Sequence, residues 1–198
     1  MTETALFRRL ARETPRGWSR LRFELDVFRD DVRDRRQRIE LTREGWVRVA
    51  DWTDGDWVDR EPGEDLLEPR LGVPMWDSYH GPSLLAPREL ADGFGWSWPG
   101  EDPETLPGPL RFKHLAVISS GGRKMLDAVV QPTDDYDPLC PCCPLLDGAR
   151  GHVQAPPHKA AKRFTVRLDV ETGVCVIARP LDRHVGYGHV LRRFEVDP

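Results

Sequence analysis

The sequence predicts an α+β protein of 198 residues: a single domain, 1–198, built on one large curved antiparallel β-sheet with an N-terminal helix and a proline- and tryptophan-rich cover. Three observations predict it. Residues 21–27, 111–131 and 164–177 alternate apolar and polar side chains, and turn residues bound each run. A helical period opens the chain. Prolines at 62, 69, 74, 82, 87, 99, 103, 107 and 109 forbid long central strands and long helices in the middle.

Leu6, Phe7, Leu10 and Ala11 share one helical face, and Pro15 stops that run. The period then drops to two, with Leu21, Phe23, Leu25 and Val27 alternating against Arg22, Glu24 and Asp26. Ile39 and Leu41 alternate again, Arg43-Glu44-Gly45 turns the chain, and Trp46–Val49 returns it. Asp54-Gly55 is a hairpin signal between Trp52 and Trp57. These elements predict an antiparallel meander. Residues 61–110 lose all periodicity yet keep Leu66, Leu67, Leu71, Leu84, Leu85 and Phe94, so they read as an irregular lid packed on the sheet. Pro87–Asp92 is a short helix inside it, with Gly93 just past its end. Strands resume at Arg111–Ser120 and Lys124–Gln131 about a Gly121-Gly122 turn. After a Cys- and Pro-rich insert at 132–162, Arg163–Val170 and Val174–Ile177 form a hairpin about a three-residue Glu171-Thr172-Gly173 loop, which sets Val170 opposite Val174 and Leu168 opposite Val176. Val190–Val196 is a last strand.

Composition narrows the function. The net charge of −4 divides into +4 over residues 1–50, −11 over 51–110 and +3 over 111–198. With a pI of about 5.9 and no basic stripe, nucleic acid is excluded as the main partner. No apolar run reaches the ~18 residues of a membrane span. Met1–Arg20 does not read as a signal peptide, because Arg8, Arg9 and Arg12 interrupt its apolar cluster. The four cysteines do not form a secreted disulfide framework. A cytoplasmic location is expected.

Four places carry a resemblance to a known superfamily. Arg35–Arg48 pairs a basic-aliphatic strand with an aromatic one, and Trp52-Thr53-Asp54-Gly55-Asp56-Trp57 makes a "DG…W" turn. Gly122-Arg123 with Met125–Val130 and Pro132 makes a "GR…V…P" hairpin. Asp169–Val174 with Phe194-Glu195-Val196-Asp197 makes a "VD…TG" hairpin and terminal strand. In these the chain resembles the bacterial lipoprotein carriers and envelope-stress regulators, the LolA/RseB-like half-barrels. That resemblance implies an incomplete barrel whose helices and loops cover a concave apolar face holding lipid or another hydrophobic ligand. The Cys-rich insert has no counterpart in that pattern. Leu6–Glu13, Pro15-Arg16-Gly17-Trp18 and Leu21–Phe28 also resemble the opening of YezG-type immunity proteins, as far as residue 50.

Two groups of residues stand out as candidate sites. Trp46, Trp57, Trp76, Trp96 and Trp98 can line a hydrophobic pocket or form the core itself, since large rigid rings serve both. Cys140 and Cys143 form a C-x-x-C pair around Pro141 and Cys142, and His152 and His158 follow at loop distance. Tetrahedral zinc takes four such sulfur or imidazole ligands, so zinc is the one cofactor the chain can be read to hold. Buried reduced thiols filling a tight turn are the other reading. No nucleophile motif, phosphate loop or H-E-x-x-H is present, and no catalytic residue is assigned. The expected function is that of a non-enzymatic binding protein holding a hydrophobic small molecule, a lipid or a protein partner's segment against the sheet. A cytoplasmic immunity-type interaction protein and a metal- or redox-responsive module using Cys140–Cys143 are the alternatives.

Overall fold

A computed structural model gives the fold and describes residues 2–13, 17–60, 67–68, 73–74, 80–93, 108–136, 145–146, 161–182 and 187–198. Helix α1 (Glu3–Arg12) starts at Thr2, whose hydroxyl accepts the Ala5 N–H at 3.2 Å. Glu3 in its first turn and Arg9 and Arg12 in its last complement the helix dipole. Strands β1 (Arg20–Arg29), β2 (Val32–Thr42), β3 (Val47–Thr53) and β4 (Asp56–Asp59) follow as a meander. A two-stranded ribbon, β5 (Leu67–Glu68) with β6 (Val73–Pro74), precedes the short helices α2 (His80–Leu85) and α3 (Glu89–Asp92). The rest is β7 (Leu110–Ser120), β8 (Arg123–Pro132), β9 (Phe164–Asp169), β10 (Cys175–Pro180) and β11 (Tyr187–Asp197).

Nine of these strands form one antiparallel sheet in the order β4-β3-β2-β1-β11-β10-β9-β8-β7, open at β4 and β7. Three of its hairpins turn on two residues that both have positive φ: Asp30-Asp31 (51° and 65°), Asp54-Gly55 (50° and 92°) and Gly121-Gly122 (59° and 79°). Two left-handed residues in succession twist a hairpin in the same sense as its strands. The centre of the sheet is the pairing of β1 with β11, from Arg20 opposite Asp197 to Arg29 opposite Tyr187. Two meanders are thus joined through the first and last strands.

One face of the sheet, the inner one, packs under the helices. Leu21, Phe23, Leu25 and Val27 of β1 join Leu126, Ala128 and Val130 of β8 and Phe164, Val166 and Leu168 of β9 in the buried core. Phe7, Leu10 and Ala11 of α1 and Leu84, Leu85, Leu90 and Ala91 of α2 and α3 close over them. The Arg12 guanidinium clamps Asp92 of α3 with two nitrogens at 2.6 and 3.0 Å, and the Arg8 Nε donates to the Ala91 carbonyl at 3.2 Å. Gly173, at φ 74°, lies where a Cβ would come within 2.8 Å of the Leu10 carbonyl oxygen, so glycine lets α1 rest on the β9–β10 hairpin.

That hairpin differs from its sequence reading. Cys175 stands opposite Leu168, Ile177 stands opposite Arg167, and Val176 occupies an irregularity between them. Asp169 explains the shift. Its carboxylate accepts the Thr172 N–H at 2.8 Å and the Thr172 hydroxyl at 2.7 Å, and it receives both ends of the Arg123 guanidinium. The turn closes on Asp169 and Val174 rather than on Val170, which moves Val174 and Cys175 by one. The irregularity at Val176 absorbs the extra residue, and from Ile177 to Pro180 the strands pair in the register the sequence predicts.

Candidate functional site

On the first meander the inner phase runs Arg35, Gln37, Ile39, Leu41 along β2 and Val47, Val49, Asp51 along β3. Leu41 faces Val47, Ile39 faces Val49, Gln37 faces Asp51, and Asp51 faces Val58 of β4. Ile39 and Leu41 are fully buried. Val47 and Val49, one strand further out, are half-buried, and Val58 is 54% exposed. The apolar stripe therefore emerges from under its cover within two strands.

A polar cluster borders this stripe. Asp51 accepts hydrogen bonds from both the Nε and a terminal nitrogen of Arg60, and from Gln37 Nε2 at 3.1 Å. Burial pushes the Asp51 carboxyl up, but these bonds and the charges of Arg60 and Arg35 outweigh it and hold it below its usual range. The other atom of the Gln37 amide, Oε1, is enclosed and has no hydrogen-bond partner among the described residues. Asp51 is thus a fixed anion with its oxygens engaged, suited to orienting a neighbour and unsuited to proton transfer.

The outer face of the same strands is a lattice of ion pairs. Asp26 lies between the Nε atoms of Arg36 at 2.8 Å and Arg192 at 2.6 Å, and Glu24 receives Arg193 at 2.8 Å. Trp52 and Trp57 meet edge to face with centroids 5.1 Å apart, and the Arg38 guanidinium lies 4.3 Å above the Trp57 ring.

A third polar group lies deep under the helices. The Glu89 carboxylate of α3 accepts the Tyr136 hydroxyl at 2.7 Å and the Leu145 N–H at 2.5 Å, and the same hydroxyl accepts the Leu146 N–H at 3.1 Å. Burial pushes the Glu89 carboxyl up to about 7 against the pull of these bonds. Burial, with the Glu89 charge nearby, also pushes the Cys175 thiol up to about 12, so it stays protonated and unreactive at neutral pH. Glu89 fastens the backbone just after the Cys140–Pro144 run.

Of the tryptophans singled out in sequence, Trp46 stands just ahead of β3 and is 42% exposed, while Trp57 lies on the outer face near the far end of β3. The structure does not bring the two together. Trp76, Trp96 and Trp98 lie outside the described residues, as do Cys140, Cys142, Cys143, His152 and His158. Among the described residues no group of three His, Cys, Asp or Glu side chains is arranged to hold a metal ion. No helix among them is long and apolar enough to cross a membrane. Sequence reasoning passed over Gln37, Asp51 and Arg60. Their signal was nonetheless there, since Gln37 and Asp51 are polar residues in the apolar phase of alternating strands.

No family model and no curated protein sequence matches the chain. Among solved structures it is similar to the crystal structure of MucB, with a TM-score of 0.42 and 14% identity. The likeness is weak and concerns architecture alone. The match covers 99% of this chain and 60% of the MucB chain, so the chain spans about three fifths of MucB's length.

Proposed function

We propose that residues 1–198 act as one non-enzymatic binding domain that holds a hydrophobic ligand, or an apolar segment of a partner protein, against the inner face of the curved sheet. The observation that carries this reading is the apolar stripe that runs from half-buried Val47 and Val49 to exposed Val58, beside the Gln37–Asp51–Arg60 cluster. An apolar surface edged by a few fixed polar groups is the usual chemistry of a binding cleft. A second reading, an interaction protein that blocks a partner, is favoured by the exposed Trp46 and by exposed Trp52, which meets Trp57 under the Arg38 guanidinium. Tryptophan and arginine carry most of the energy at protein interfaces.

The test is a naphthalene sulfonate dye whose fluorescence rises in apolar surroundings. It should bind the folded protein, and Val58→Asp should weaken binding by about tenfold or more, because a charge would have to be buried beneath the dye. The unfolding midpoint should fall by only a few degrees at most, since Val58 is exposed and the cost is the repulsion from Asp51 opposite it. About tenfold weaker binding at a temperature well below both midpoints is then a local effect. Equal binding by the variant would place any apolar ligand elsewhere.

A further inference from the structure

Among the described residues strand β7 is the long unpaired edge of the sheet, and its two halves differ. In the first half Arg111, Lys113 and His114 are exposed, with Lys113 on a bulge between Phe112 and His114. None of the three has an ion-pair partner among the described residues. That sets them apart from arginines elsewhere on the sheet. Arg22, Arg36, Arg123, Arg167, Arg179 and Arg192 all meet a carboxylate between 2.6 and 3.2 Å. β7 itself contains no acidic residue.

The second half, Leu115–Ser120, carries no charge, proline or glycine, and Val117 in its middle is 49% exposed. Such a segment at a sheet edge pairs readily with another extended chain. The opposite edge is built otherwise. β4 has only four residues, and its ends are Asp56 and Asp59. Short length and edge charge protect β4, whereas β7 is protected over its first half only.

We propose that the β7 edge receives an extended acidic segment of a partner protein as an added strand, its carboxylates opposite Arg111, Lys113 and His114 and its uncharged residues along Leu115–Ser120. Main-chain hydrogen bonds to the free edge would supply affinity, and the basic half would select the partner. Charge complementarity decides against the β7 edge of a second copy of this chain, and the acidic β4 edge of a second copy has only four residues, too few to run along both halves of β7. Antiparallel pairing of two β7 strands over their first halves sets the basic residues of one copy against those of the other. Pairing over their second halves carries Arg111 and Lys113 towards the turn of the other copy, where Lys124 stands. The bulge and Lys113 thus repel a like edge and welcome an acidic one.

The probes are two capped synthetic peptides, one of alternating glutamate and valine and one of alternating lysine and valine, titrated against the full chain. The glutamate peptide should bind, slow hydrogen exchange at backbone amides within residues 115–120, and weaken with added salt. The double variant Arg111→Glu, Lys113→Glu should lose about tenfold or more in affinity for it and gain the lysine peptide, with an unchanged melting temperature because both side chains are exposed and unpaired. Three results would overturn the proposal: equal affinity for both peptides, protection that maps away from β7, or a solution dimer whose β7 amides are already protected.

Discussion

The meanders on either side of the β1–β11 seam share one alternating pattern and meet different fates. In β8–β10, Leu126, Ala128, Val130, Phe164, Val166, Leu168 and Ala178 are fully buried, and α1 and α2 pack across this half against β9 and β10. In β2–β4 the same phase leads from buried Ile39 to half-buried Val49 and exposed Val58. Both outer faces are tied by arginine–carboxylate pairs, so the difference lies in the cover. An apolar residue in the right phase of a strand is a candidate for burial, and only the element lying over it makes the burial happen.

Substitutions can break that comparison. Phe164→Ala in the covered half should cost about 3–5 kcal/mol, since a large fully buried ring leaves a cavity. Val49→Ala in the open half should cost about 1 kcal/mol or less, because half of its transfer energy was never gained. Denaturant unfolding of the two variants measures both, and equal losses would erase the distinction.

A smaller and pH-dependent effect separates the carboxylates of the two regions. Glu89, under the helices, has a folded pKa raised from 4.5 to about 7. Between those values the unfolded chain gives up the proton first, so this group lowers stability as pH rises through the window, by up to about 3 kcal/mol, and adds nothing further above it. Asp51 in the open half is shifted downwards from 3.8, so its stabilisation is present above that value and lost in acid. Glu89→Gln should abolish the fall between pH 4.5 and 7 while leaving the acid limb in place. Unfolding free energies at pH 5 and pH 8 for both proteins test it, and parallel slopes would mean that Glu89 ionises in the ordinary range.

The smallest expected change is on the outer face. Trp57→Ala removes an edge-to-face contact with Trp52 and the stacking of Arg38, worth about 1 kcal/mol for a half-exposed ring. A loss on the scale of Phe164→Ala would show that Trp57 has a cover of its own.

What the sequence made legible follows from the range of the forces involved. The helix at Leu6–Ala11, the hairpins at Asp54-Gly55 and Gly121-Gly122, and the short helix ending at Gly93 depend on neighbours a few residues apart, and all are present. The β9–β10 hairpin was legible in its register from Ile177 onwards but not in its closing turn. Val174-Cys175-Val176 is buried on both sides, so alternation could not choose a phase, and the choice was made by the Asp169 carboxylate gripping Thr172. Nor could local pattern show that β1 and β11 are partners, or that Arg36 and Arg192 meet on Asp26 between them. The inner-face polar cluster was half visible: Gln37 and Asp51 break the alternation, but Arg60 joins them only through the fold.

The β1–β11 seam also has a meaning in time. β1 is made first of the nine strands and β11 last, yet Arg20 and Asp197 end up side by side in mid-sheet. While the chain grows, β2–β4 can zip onto β1 and β7–β10 onto one another, each through short loops or one longer insert. The result is two half-sheets, each with an unfinished edge, β1 on one and β10 on the other. β11 is the keystone that satisfies both edges in one step. A nascent chain stalled before that strand would display Leu21, Phe23, Leu25 and Val27 along an open edge, a template for pairing with its neighbours on the same message. Timely synthesis of the last strand, or a chaperone holding the first until it arrives, is what this architecture asks of the cell.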